Sequence, residues 1–246
     1  MKVKGNAAAR HPETEFRRKL STRYQKVQQN WTREIDRLHA LFLAQGLTTV
    51  TRNDLTTGDL RKEAIKMLGG IEREEAEYLT ACLDLHHHRT QALFQQIKKE
   101  TDGDEVMQRL QSVPGVGPVL ALAFVSQVAF ERFQDRGQVS NYLGLTPDSN
   151  TKYGKVKGND NLRNLLVQAA LAVARSEDGG TLKDRFEYLT QEKSKNEMQA
   201  VLAIARQIAE LLYTITREGR DYEARPSGPR QFQGQSPGNG ICHAET

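Results

Sequence analysis

The feature that most constrains this chain is Pro114-Gly115-Val116-Gly117-Pro118, which stands between Leu110 and the apolar run from Val119 to Val125. Gly115 and Gly117 can adopt backbone angles closed to other residues, Pro114 cannot continue a helix, and Pro118 suits the first position of the next one. One helix therefore ends and another begins within a few residues, and 106–130 reads as a helix-hairpin-helix. The unpaired N–H groups at the start of the second helix, with the positive end of its dipole, can hold a phosphate. That makes Gly115 and Gly117 candidate nucleic-acid contacts, although a turn that only packs two helices explains the same residues equally well. No Lys or Arg lies between Val113 and Phe130. Without such cations close by, a backbone-phosphate contact here is weakened, and a structural role for the turn is favoured.

The segments on either side are helical in pattern. Phe16, Leu20, Tyr24, Val27, Trp31, Ile35, Leu38 and Phe42 advance by steps of four and three, which places them along one stripe of a long helix ending at Gly46. A polar connection follows, then a shorter helix from about Leu60 to Leu68 that stops at Gly69-Gly70. A second long helix runs from about Ile71 to Lys99, with Leu79, Cys82, His86, Leu93 and Ile97 along its stripe. Two stripes of this length can pair antiparallel, in one chain or across a homo-oligomer. Beyond the hairpin the pattern predicts a short helix ending at Gly144 and a helix Leu162–Arg175 capped by Asn161. It then predicts a helix Leu182–Gln191 and another from Asn196 to Arg217 stopped by Gly219. The expected architecture is all-α. Residues 1–13 form a flexible start, 14–100 a coiled-coil-like helical pair, 101–222 a compact helical domain, and 223–246 a disordered tail rich in Pro, Gly, Gln and Ser.

Composition narrows the function. The net charge is +4 with a pI near 9.0, which permits a polyanionic partner without requiring one. Two cysteines far apart in sequence, Cys82 and Cys242, give neither a disulfide framework nor zinc-ligand spacing. His86-His87-His88 cannot share one ion on a helix, because consecutive residues point about 100° apart. No apolar run is long enough to span a bilayer, so no membrane partner is expected and the default location is the cytoplasm.

Residues 148–161 stand out as a polar stretch, Asp-Ser-Asn-Thr-Lys-Tyr-Gly-Lys-Val-Lys-Gly-Asn-Asp-Asn, that has too few apolar positions to bury itself. Lys152, Lys155, Lys157 and Arg163 form a basic cluster opposed by Asp148 and Asp160, with Tyr153 between them as a stacking group. An ordinary solvated loop is the competing account.

Taken in order, several local patterns resemble the C-terminal portion of the DEDD-type insertion-sequence transposases, the recombinases guided by a bridge RNA. They are L-x-x-V-P-G-V-G-P-x-x-A-x-A from Leu110, Arg132-Phe133, Tyr142-Leu143-Gly144-Leu145-Thr146-Pro147, Gly158-Asn159 with Leu162-Arg163, and Asn196 with Ala203-Ile204-Ala205-Arg206 and Gly219-Arg220-Asp221-Tyr222. The match runs from about 106 to 222, and the first hundred residues are similar to the family's central helical linker. The resemblance implies binding of DNA and of a structured guide RNA. It also implies a composite active site in which four acidic residues of an N-terminal domain hold Mg²⁺ and a serine from the C-terminal region links covalently to DNA. No cofactor is expected in this chain itself. Here no amino-terminal strand pattern with embedded Asp is found, so the resemblance implies a truncated transposase, a poor catalyst alone or a non-catalytic binding or dimerisation module. The family's Ser-Ser-Gly before Gly-Asn is also replaced, by Ser149-Asn150-Thr151-Lys152-Tyr153-Gly154. Ser149 is the first candidate for the nucleophile, with Thr151 and Tyr153 as alternates, while Asn159 and Arg163 are candidate phosphate contacts.

Overall fold

The computed structural model describes residues 11–145, 159–177, 179–191, 193 and 196–223, and among these the regular structure is helical throughout, with no strand. Helix α1 spans Pro12–Ala44 and α4 spans Gly70–Asp102, each 33 residues. They run antiparallel: Arg17 of α1 meets Glu100 of α4 at 3.2 Å, the rings of Tyr24 and Phe94 meet midway, and Gln45 reaches Glu72 at the other end. The α1 stripe buries Leu20, Ile35, Leu38 and Phe42 and leaves Tyr24, Val27 and Trp31 half-buried, whereas Phe16 is exposed. On α4 the buried line passes through Ala76, Leu79, Leu83, Leu93 and Ile97. The step from Leu79 to Leu83 carries it past Cys82 and His86, which are half-buried on its flank rather than on the stripe.

The connection between the long helices contains more helix than its polarity suggests. Short α2 (Arg52–Thr56) is held by a reciprocal cap: Asp54 N–H donates to the Thr51 hydroxyl, and Thr51 N–H donates to the Asp54 carboxylate at 2.8 Å. Those bonds from the Thr51 hydroxyl and backbone hold the Asp54 carboxyl below its usual range. Helix α3 (Gly58–Ile65) then presents Arg61, a buried side chain that donates to Leu55 O and to Asp84 on α4.

The remaining helices are α5 (Glu105–Gln111), α6 (Pro118–Gln127), α7 (Arg136–Tyr142), α8 (Asp160–Arg175), α9 (Gly180–Gln191) and α10 (Glu197–Glu218). Helix α6 is the hub. It packs on α1, α4, α5 and α8, and Leu120, Ala121, Leu122, Ala123 and Phe124 are all buried. Its one buried hydroxyl, Ser126, donates back to Leu122 O at 2.7 Å, so no polar group is stranded there. Helix α10 closes the opposite side against α7, α8, α9 and α5. It ends where Gly219 takes the left-handed conformation, φ +65°, and Arg109 of α5 donates to Gly219 O at 2.8 Å, tying that end down. Tyr213 donates to Phe133 O at 2.8 Å, which fixes the chain after α6 onto α10.

The apolar interior divides in two. The larger core gathers α5 to α10 and also draws in Leu20, Leu93 and Ile97 from the long pair. A smaller one, built on Ile35, Leu38, Phe42, Leu79 and Leu83 with Leu55 and Ile65, lies at the far end of the pair under α2 and α3.

Candidate nucleic-acid interface

The glycine turn between α5 and α6 is asymmetric in a way its sequence does not reveal. Gly115 has φ +81°, and a β-carbon there would lie 2.5 Å from Ala169 O and 2.8 Å from Val173 Cγ2, so the turn is pressed directly onto the backbone of α8. Gly117 has φ −99°, stands as the N-cap of α6, and has nothing within 4 Å of where its β-carbon would be. Val113 and Val116 are buried on either side. Gly115 therefore serves close approach to α8, and Pro118 takes the first helical position as its fixed φ favours.

Helix α8 starts two residues before the sequence pattern placed it: Asn159, not Asn161, is the cap, its side-chain oxygen accepting from Leu162 N at 3.1 Å. Three residues in a row, Asn159-Asp160-Asn161, are good cap formers, and periodicity alone cannot choose among them. What selects Asn159 is its second bond. Its amide donates to Gln127 Oε1 at 2.7 Å, and Gln127 in turn donates to Ser21 Oγ at 3.1 Å, which donates to Arg18 O. A continuous chain of hydrogen bonds thus runs from α1 through the end of α6 to the start of α8. Gln127 and Ser21 were not candidates from sequence. The only signal was a lone amide at the end of an otherwise apolar helix.

Arg163, one turn into α8, is partly exposed and lies 3.5 Å from Asp160, a weak pairing at a helix start. The remaining candidates, Ser149, Thr151 and Tyr153 for the nucleophile and Lys152, Lys155 and Lys157 for phosphate, lie outside the described residues. The described chain leads into their segment from Leu145, which is buried, and out of it at Asn159. Both ends are thereby anchored on the larger core.

Among the described residues no three His, Cys, Asp or Glu side chains gather closely enough to hold a metal ion. His87 instead pairs with Gln91 at 2.8 Å. No helix among the described residues is long and apolar enough to cross a membrane.

Residues 107–187 match the transposase IS116/IS110/IS902 family. The matched stretch runs from α5 through the glycine turn, α6, α7 and α8 into α9, so it contains the turn, the Asn159 cap and the polar segment between them. Transposase relatives extend the likeness. The chain is 26% identical over 154 residues to the putative transposase y4pF/y4sB of Sinorhizobium fredii, covering 58% of this chain and 38% of that protein. It is 26% identical over 136 residues to the transposase for insertion sequence element IS1111A of Coxiella burnetii, covering 52% and 37%. It is 27% identical over 160 residues to the insertion element IS110 uncharacterized 43.6 kDa protein of Streptomyces coelicolor, covering 61% and 38%. The chain thus spans less than two-fifths of the length of these curated relatives.

Proposed function

We propose that this chain acts in insertion-sequence transposition as the helical-linker and C-terminal part of a transposase, binding the DNA of the element and a structured guide RNA. The observation that carries this reading is the transposase-family match over 107–187, which encloses the whole segment singled out by its charge and chemistry. Lys152, Lys155 and Lys157 supply the phosphate contacts, and Arg163 extends them onto α8. Each phosphate neutralised releases counterions, so binding weakens steeply with salt. Charge reversal of the three lysines to glutamate is expected to weaken binding of a labelled duplex carrying the element ends by at least about 100-fold at low salt and to flatten the salt dependence. Fluorescence anisotropy across a salt series reads both. Unchanged affinity would remove the lysines from the interface.

Ser149 is the nucleophile in this reading. Its oxygen bonds to a backbone phosphorus as the phosphorus–oxygen bond to the sugar breaks, and the proton lost by the serine hydroxyl passes through water to the departing sugar oxygen, which leaves as a hydroxyl. The acidic residues that hold Mg²⁺ in the resembled family lie outside this segment. Incubated with Mg²⁺ and element-end DNA, the chain is expected to yield a small amount of covalent protein–DNA adduct that Ser149→Ala abolishes, read on a denaturing gel. An adduct that survives Ser149→Ala but not Thr151→Ala or Tyr153→Phe would move the role to that residue, and no adduct from the unaltered chain favours the second reading. That second reading, a non-catalytic binding or dimerisation module, has its own support. Ile71, Tyr78 and Leu85 are exposed on α4 at seven-residue intervals, a spacing that suits a helix of a second copy.

A further inference from the structure

Helix α1 packs on α6, and α6 packs on α8, and this arrangement leaves a groove of about 530 Å³ between α1 and α8. That volume is in the range of small-ligand sites, about 300–1,000 Å³. Its walls are unusual in composition: Gln25, Gln28 and Gln29 from α1 face Asn161, Asn164 and Gln168 from α8. Carboxamides carry a donor and an acceptor on one planar group, so opposed rows of them match a ligand whose edge alternates donors and acceptors. Among the described residues no carboxylate lines the groove, and Arg33 contributes the only formal charge, which is positive. These residues disfavour a cationic ligand and tolerate an anionic attachment. Their apolar lining is Leu165 and the ring of Tyr24, too little for a lipid or an aliphatic ligand but enough for one aromatic plane.

One wall residue indicates that the groove is incomplete as it stands. Gln25 is 8% exposed, and among the described residues neither its Oε1 nor its Nε2 has a hydrogen-bond partner. Leaving a buried amide unsatisfied destabilises the folded chain, and a polar side chain held this way on a core-facing position has no packing advantage over leucine. The neighbouring amide, Gln28, is already engaged with the Tyr24 hydroxyl at 3.2 Å. This bond holds Tyr24 at the groove wall and leaves the Gln25 amide, whose two polar atoms are covered, unpaired among the described residues. Asn161, on the opposite wall, comes only four residues after Lys157 in the chain.

From this arrangement we infer that the groove between α1 and α8 takes an unpaired nucleobase of a bound strand, adenine being the best match, and that the covered Gln25 amide turns into the groove to read it. An amide oxygen accepts from the exocyclic N6 amino group of adenine while the amide nitrogen donates to N7. Tyr24 supplies a stacking plane, and Arg33 lies where a phosphate of the same strand can be neutralised. The inference rests on the nucleic-acid reading above and adds a base-specific site to it. Since DNA and RNA strands both present this base, the sugar is left to the test.

The test uses the full chain and fluorescein-labelled 20-mers, namely dA20, dT20, rA20 and a mixed-sequence duplex, in anisotropy titrations across a salt series. The unaltered chain is expected to bind dA20 or rA20 about 5- to 10-fold more tightly than dT20, and the tighter of the two homopurine strands identifies the source. Two variants report on the groove: Gln25→Leu, at the buried reader, and the double change Asn164→Ala with Gln168→Ala, at two exposed positions where folding is unaffected. Both are expected to bring dA20 and dT20 within 2-fold of each other while the salt slope stays the same, because phosphate contacts are untouched. Gln25→Leu should also leave the melting temperature of the free chain unchanged or higher, since it removes an unsatisfied amide, whereas a merely structural Gln25 would make the variant melt lower. Retained discrimination in the double variant, or no preference in the unaltered chain, overturns the inference while leaving nucleic-acid binding intact. Failure of the chain to bind any of the four probes overturns both.

Discussion

Gly115→Ala is expected to destabilise the folded chain by about 2–5 kcal/mol. The left-handed conformation at φ +81° costs a residue with a β-carbon about 1–2 kcal/mol. The new methyl group would also sit 2.5 Å from Ala169 O, a backbone atom inside α8 that cannot turn aside as a flexible side chain would. Forcing such an overpacked contact costs about 1–3 kcal/mol more. Gly117→Ala is the matched control two residues away: its φ is −99° and the space beside it is open, so only a cap preference worth under about 1 kcal/mol is at stake. Urea denaturation followed by circular dichroism gives both numbers from one pair of proteins. Equal, small losses would mean that the turn is free to retreat from α8, and the account of the turn as a packing device would fall. Because α8 carries Asn159 and Arg163, a destabilised turn should also loosen the exit of the 146–158 segment.

Asn159→Ala is expected to cost about 2–4 kcal/mol, more than a helix cap alone is worth. Loss of the oxygen that accepts from Leu162 N accounts for about 1 kcal/mol. Loss of the amide that donates to Gln127 Oε1 leaves a part-buried acceptor unpaired, which adds about 1–3 kcal/mol. Asn159→Asp retains the capping oxygen and is expected to lose roughly half as much. A double-mutant cycle with Gln127→Leu isolates the second contribution, since the coupling should vanish once both amides are gone. If instead Asn159→Ala stays within about 0.5 kcal/mol of the unaltered chain, its side chain is not committed to the fold and is available to a ligand, as its position beside Gly158 in the sequence pattern suggested.

What could be read in advance follows from how local each feature is. The long helices were legible because steps of four and three repeat over many turns of α1 and α4, and their antiparallel pairing follows from the stripe each leaves uncovered. Gly219 and Asn196 marked the two ends of α10 through chemistry confined to a residue or two, and both act as expected. Helix α2 was missed because five residues with one buried side chain, Leu55, carry no periodicity, although Thr51 and Asp54 have the spacing of a reciprocal cap. Gln25 was invisible for a different reason. Its burial depends on α6 and α8, which lie about a hundred residues further along the chain, and a glutamine beside an apolar stripe looks like any solvated flank. Gly115 and Gly117 look interchangeable in sequence, and only the arrival of α8 separates them. Of the candidate site, the turn, Asn159 and Arg163 are placed by the fold, whereas the nucleophile candidates and the three lysines were nominated by composition and resemblance alone.

The two separate cores give the long helical pair a mechanical character. Each of its helices is about 50 Å long at 1.5 Å per residue, clamped near Leu20 and Leu93 by the larger core and capped at the other end by α2 and α3 over the smaller one. The stretch of α1 from Tyr24 to Arg33, which walls the amide-lined groove, is where one core gives way to the other: Tyr24 and Val27 pack against the larger and Trp31 against the smaller. A rotation of about 5° about the α6 junction would swing the far tip through roughly 3 Å, given an arm of about 36 Å from Leu20 to Ala44 at 1.5 Å per residue. Any tilt of the pair about that junction would change the width of the groove, because its α1 wall belongs to the pair and its α8 wall to the larger core.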